Sequence, residues 1–415
     1  MVYLFNNQVT LAATPQVDAF GRLRVGQPMT LFDSQQRFGL DKSFTSNVAS
    51  GGSISFVTNQ SSANLTVTNT LNSFAARESK YVLKYQPAKS QAAFMTFVMN
   101  PISSGNLQQR VGYFGASNGY YVELTDQLYL VQRSNVTGTV SNTRVPQSSW
   151  NADTLIYPGS GSSGYNLDIT KAQIFWLDIE WLGVGDVRCG FVLNGQKVVA
   201  HTFKHANVSS TAYITTACLP VRYEIQSLTA SGPATSNLTQ VCCSVQSEGG
   251  YTEPFTFFSN ISTFSFASGT VGTWTPICSI QLSPTRLESI AVIQQVDFVI
   301  TSTDTVQWAL WSNVSLSNLG GTPNFITPPN NGSVQIDKAA TTFNITNCWQ
   351  VASTLMTNSG GNSVSTTKVD LASYFSQIGR DSFAGVSEIF TLAVYRPAGT
   401  GSLTGYALLS WQEML

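Results

Sequence analysis

The stretch from Phe175 to Phe203, FWLDIEWLGVGDVRCGFVLNGQKVVAHTF, constrains the fold most, because its pattern specifies a strand followed by a β-hairpin. Phe175, Leu177, Ile179 and Trp181 fall at every second position and share one face, leaving Trp176, Asp178 and Glu180 on the other. After Gly183 and Gly185 the alternation resumes at Val187, Cys189, Phe191 and Leu193. It runs into Asn194-Gly195, the dipeptide best able to take the positive φ angles of a type I′ turn. A two-residue turn there predicts Phe191 opposite Val198 and Arg188 opposite His201.

The rest of the chain has the composition of the same kind of structure. Only 10% of its 415 residues are charged, against roughly a quarter in an ordinary soluble protein; Ser, Thr, Asn, Gln and Gly fill the space. Such a chain, rich in Thr and aromatic residues, suits sheets joined by many turns, and an all-β fold is expected. A hydrophobic fraction of 42% is enough to fill sizeable cores. The net charge of −1 favours neither nucleic acid nor an anionic membrane as a partner. It also weakens repulsion between copies, which suits a subunit of an assembly.

Residues 1–45 read as an extended N-terminal arm with Pro15, Pro28 and short β-like runs at Arg22 to Val25 and Thr30 to Phe32. Such an arm is expected to lie on its own body or on a neighbour. The arm lacks a basic segment followed by an apolar core, and no later run approaches the roughly 18 apolar residues of a membrane span. From 46 to 245, strand follows strand without intervening helices, which predicts a two-sheet sandwich. The turn-rich SEGGYTEP marks a boundary, and residues 246–415 read as a second, jelly-roll-like β-sandwich. A weak helical stripe at Leu371, Tyr374 and Phe375 allows one short helix near Asp370 to Ile378.

Candidate chemistry is sparse. Asp178 and Glu180 lie at alternate positions and put two carboxylates on one strand face, roughly 7 Å apart at Cα. The step resembles the carboxylate strand of concanavalin-like glycoside hydrolases, which carry E-x-D-x-(x)-E, two glutamates flanking an aspartate. Trp176 stands at the first glutamate position, so surface carboxylates paired with Arg188 or a lysine are the expectation. His201 and His205 share a strand face but lack a third ligand of clear spacing, and the six cysteines form no CxxC; no metal site and no cofactor are expected. Exposed aromatic rings on a concave sheet stack on sugars, and Trp176, Tyr120, Tyr121 and Tyr129 are the candidate platforms. The alternative for these rings is core or subunit-interface packing.

Several longer words carry a resemblance: VDAFGRLRVGQPMTLFDSQQRFG, KYQPAKSQAAFMTFVM, GYFGASNGYYVEL, WLGVGDVRCGFVLNGQKVVAHTFKHAN with TACLPVRYEI, and the closing LSWQE. Together they resemble virion-associated structural proteins of tailed bacteriophages, over nearly the whole chain. The resemblance implies a central concanavalin-like sandwich, a further β-domain, residence on the virion and no catalysis. It also implies that Asp18, Phe20, Gly21, Arg22 and Arg24 of the arm attach the chain to the particle; pairing of Arg22 and Arg24 within their own subunit is the alternative. The expectation is therefore a non-enzymatic oligomer, with a trimer leading by analogy with phage fibres, that contacts other head or tail proteins. The alternatives are a lectin-like module recognising host polysaccharide and a glycan-degrading enzyme.

Overall fold

The computed structural model describes residues 2–5, 8–11, 26–102, 105–158, 163–249, 256–266, 271–301, 304–328, 332–358, 365–370, 376–399 and 403–414. Alternation of buried and exposed residues, clearest in Gln91–Val98, organises the strands into antiparallel sheets as expected for an all-β chain. A seven-stranded sheet runs in the order Ser141–Pro146, Leu128–Ser134, Gly119–Leu124, Leu107–Phe114, Val221–Ser227, Phe74–Ser79 and Phe44–Ala49. An eight-stranded sheet runs Gln196–Phe203, Val187–Leu193, Gln173–Ile179, Gln91–Val98, Thr235–Glu248, Ser62–Thr68 and Ser53–Val57, with Pro28–Gln35 pairing on Thr235–Glu248 as the eighth. Val111, Tyr113, Tyr120 and Tyr223 of the first sheet meet Met95, Phe97, Phe175, Leu177 and Phe191 of the second in one core. Each such side chain contributes about 1.5–3 kcal/mol by leaving water.

The hairpin turns where expected. Asn194 and Gly195 both have positive φ, 49° and 79°, and Phe191 lies opposite Val198. The expected pairing of Arg188 with His201 is corrected to Arg188 with Thr202, because a β-bulge between Cys189 and Gly190 leaves Ala200 as an extra residue. Gly190 permits the bulge: a Cβ there would come within 2.0 Å of the Val198 carbonyl oxygen.

Residues 256–414 form a second pair of sheets, one of four and one of five strands. Trp308, Phe298, Trp411, Leu392 and Leu409 lie in a core separate from the first. The two sandwiches meet at a polar seam. The Arg380 N–H donates to the Lys80 carbonyl (2.9 Å), Gln377 Nε2 donates to the Val82 carbonyl (3.0 Å), and Lys42 and Lys80 both rest over the Trp349 ring.

Pro28–Gln35, expected within the extended arm, is a full strand of the eight-stranded sheet. Asp18, Phe20, Gly21, Arg22 and Arg24 lie outside the described residues, as do Leu371, Tyr374 and Phe375 of the expected helix; Asp370 ends a strand.

A row of alternating charges crosses the outer face of the seven-stranded sheet and runs into the seam. Arg144 pairs with Glu123 (2.5 Å), Glu123 with Arg110 (2.7 Å), Arg110 with Glu224 (2.8 Å), Glu224 with Arg222 (2.5 Å) and Arg222 with Glu78 (2.9 Å). Arg380 of the second sandwich completes it, 2.9 Å from Glu78 and 3.2 Å from Glu288. Burial alone would raise the Glu224 carboxyl, but Arg222 and Arg110 outweigh it and hold it below its ordinary value of 4.5. A carboxylate so depressed stabilises the fold above its unfolded pKa, and that contribution is lost as pH falls through the folded value. Chemical denaturation followed from neutral pH down through the carboxylate range should show this loss, and Glu224→Gln should flatten the slope. At neutral pH Arg380→Met should cost about 3 kcal/mol of unfolding free energy, since it leaves buried Glu78 short of one partner.

Candidate functional site

The outer face of the eight-stranded sheet carries a groove of about 400 Å³. Alternation along Gln173–Ile179 sends Phe175, Leu177 and Ile179 into the core and therefore turns Trp176 and Asp178 outward. Ala92, Arg188, Lys197 and Gln246 from neighbouring strands line the groove beside them, with Ser90 and Glu248 at its margin.

Register explains the contacts. Asp178 lies directly opposite Arg188, and its carboxylate accepts hydrogen bonds from that guanidinium and from the Ser90 hydroxyl. Trp176 lies between Gly190 on one neighbouring strand and Phe94 on the other. Gly190 leaves room for the indole: a Cβ there would stand 3.0 Å from Trp176 Nε1, whose N–H has no hydrogen-bond partner. The Lys197 ammonium lies 5.7 Å from the Trp176 ring centroid and 4.7 Å from that of Phe94. Under this cover Trp176 is only 4% exposed. Glu180, just past the end of the strand, is exposed and forms no ion pair among the described residues.

Of the four expected aromatic platforms, only Trp176 lines this groove. Tyr120 is corrected to a core residue: it is wholly buried, packs on Phe203 and Tyr213, and burial drives its phenol well above the ordinary pKa. Tyr121 and Tyr129 lie on the outer face of the other sheet, where Arg110 and Arg133 cover Tyr121 and Arg144 covers Tyr129. Residues missed from sequence were Phe94 and Lys197. Lys197 was accessible from the Asn194-Gly195 turn, whose register pairs it with Val192.

The histidines are committed to the scaffold. The Asn151 N–H donates to His201 Nδ1 (3.2 Å); His205 stacks on Tyr213, with its ring nitrogens 2.8 Å from the Gly185 carbonyl and 2.9 Å from Gln132 Oε1. Burial lowers the pKa of both rings below the usual value. Among the described residues no three His, Cys, Asp or Glu side chains converge as a metal site, and the six cysteines are free thiols. No helix among the described residues is long and apolar enough to cross a membrane.

A larger cavity, about 800 Å³, opens at the seam between Lys80, Asn313, Asn318, Asn347 and Glu388. Burial raises the Glu388 carboxyl above its ordinary range. No aromatic ring lines this cavity, so the Trp176 groove is the stronger candidate for ligand stacking.

No family model matches the chain, and no curated protein sequence matches it. Similar solved structures cover about half of the chain. An endo-β-1,4-glucuronan lyase from the fungus Trichoderma reesei is 13% identical, with 54% of this chain and 96% of that one covered and a TM-score of 0.33. An endo-1,3-β-glucanase from Streptomyces sioyaensis is 10% identical over 54% of this chain and 97% of that one, TM-score 0.37. Arcelin-5, a lectin-like defence protein from Phaseolus vulgaris, is 11% identical over 54% of this chain and 99% of that one, TM-score 0.31. At these identities the likeness concerns the fold. The expectation of a protein without enzymatic activity is corrected: a glycan lyase and a glucanase stand among the similar structures beside a lectin-like defence protein.

Gly190→Ala tests how the groove is built. Its Cβ meets both the Val198 carbonyl and the indole, so the variant should lose about 1–3 kcal/mol. Near-ultraviolet circular dichroism should show an altered tryptophan environment, with thermal unfolding reporting the loss.

Proposed function

We propose that the chain is a glycan-recognising surface protein of a virion, in which the groove on the eight-stranded sheet holds host polysaccharide. The observation that carries glycan recognition is that Trp176, buried beneath Lys197, lines a groove together with polar groups held in fixed geometry: Asp178 clamped by Arg188 and Ser90, with Gln246 and Glu248 nearby. Sugars are bound by this combination of an aromatic ring and a few convergent polar groups. The virion setting is supported by the phage-like words of the sequence, in the arm, around Gly119 to Leu124 and through the hairpin. On this reading the chain is a homo-oligomer, a trimer by analogy with phage fibres, joined to other head or tail proteins.

Cleavage of the bound glycan is a second reading, favoured by Glu180. This exposed carboxylate, without an ion pair among the described residues, directly follows the Gln173–Ile179 strand that carries Asp178 and would serve as the acid or base of such a reaction.

Polysaccharide from the surface of the host, titrated into the intact protein, tests recognition. Trp176→Ala should weaken binding at least about tenfold, the expected cost of losing one stacked ring; unchanged affinity would remove the groove from the function. Release of reducing or unsaturated ends from the same polysaccharide tests cleavage, which should disappear in Glu180→Gln while binding persists. A reconstruction of the particle that lacks this chain would sink the virion assignment.

A further inference from the structure

Two cations line the groove, and their situations differ. Arg188 is neutralised by Asp178 directly across the strand pair. Among the described residues no carboxylate pairs with Lys197; its ammonium rests over Phe94 and Trp176 instead, and the side chain is otherwise exposed. The aromatic ring that lines the groove is thereby covered by the one of these two cations that has no counter-ion among the described residues.

We propose that the groove selects acidic saccharides, with Lys197 as a cover that a sugar carboxylate draws off the Trp176 ring. The inference rests on the glycan-binding reading of this site and adds the class of sugar. An ammonium over an aromatic face at an exposed site is held weakly, whereas a charge-assisted hydrogen bond to a carboxylate is among the stronger polar contacts. A uronate therefore offers Lys197 a better partner than the ring. Once Lys197 swings out on its flexible stem, the indole is free for the apolar face of the sugar. A neutral sugar offers no such exchange and meets a covered ring. Glu248 lines the same groove without an ion pair among the described residues, so the groove is not a general anion trap. Selection falls on a carboxylate within reach of Lys197, next to a ring placed to stack on Trp176.

The test is calorimetric titration of the full chain with oligouronates from alginate and polygalacturonate, and with neutral oligoglucans from dextran and laminarin. Uronates should bind at least about tenfold more tightly than glucans, with an affinity that falls as salt rises. Lys197→Ala alters an exposed residue at the edge of the sheet, and circular dichroism checks its fold. This variant should weaken uronate binding about tenfold while strengthening binding of glucans, because the ring is then open. Equal affinity for both classes in the unaltered protein, or equal weakening of both in Lys197→Ala, would overturn the proposal and leave glycan recognition standing. Absence of binding to every probe, with Trp176→Ala indistinguishable from the unaltered protein, would overturn both.

Discussion

A row of alternating charges, buried along its middle, governs how this chain is put together. In a protein with 21 basic and 22 acidic residues in 415, Arg144, Glu123, Arg110, Glu224, Arg222, Glu78, Arg380 and Glu288 are drawn into one continuous line. Removing these groups from water is costly, and each is tolerated because its neighbours across the strands carry the opposite sign. A one-residue slip of any strand would send a guanidinium or carboxylate into the hydrophobic core. The row thus specifies strand order and register in a sheet whose Gly119–Leu124 strand is buried on both faces and would otherwise pair with little discrimination. By continuing through Arg380 to Glu288, it also ties the second sandwich to the first.

The two outer faces of the first sandwich have consequently become different surfaces. On the seven-stranded sheet, Phe114, Tyr121, Tyr129 and Val131 are packed beneath guanidinium groups, and little of the face is open. On the eight-stranded sheet, a groove is left beside Ala92, lined by Trp176, Lys197 and the Asp178–Arg188 pair. The glycine at the Cys189–Gly190 bulge also makes room for the Trp176 indole, so the seat of that ring and the twist of its hairpin have a single local cause.

Sequence alternation made most of this architecture legible. The Asn194-Gly195 turn and the Phe175 to Ile179 pattern led to the right strands, the right turn and the outward Trp176. Failures came where two physical signals coincide. Tyr120 and Tyr121 are adjacent and both aromatic, so pattern alone cannot say which faces the core; the structure buries one between the sheets and the other under arginines. The bulge displaced Arg188 from its expected partner because a single inserted residue leaves no mark on composition. The charge row was invisible because its members, scattered from residue 78 to 380, meet only through long-range pairing.

The order of strands has a consequence for how the chain comes into being. Val221–Ser227 lies between Leu107–Phe114 and Phe74–Ser79, and Thr235–Glu248 lies between Gln91–Val98 and Ser62–Thr68. The strands that join the halves of both sheets are therefore the last two of the first sandwich to leave the ribosome. Until they arrive, the strands from Pro28–Gln35 to Gln196–Phe203 remain as fragments with open edges, the condition in which β-proteins fold slowly and aggregate most readily. A chain of this topology gains from long occupancy by a chaperone, and from synthesis that does not stall before residue 248.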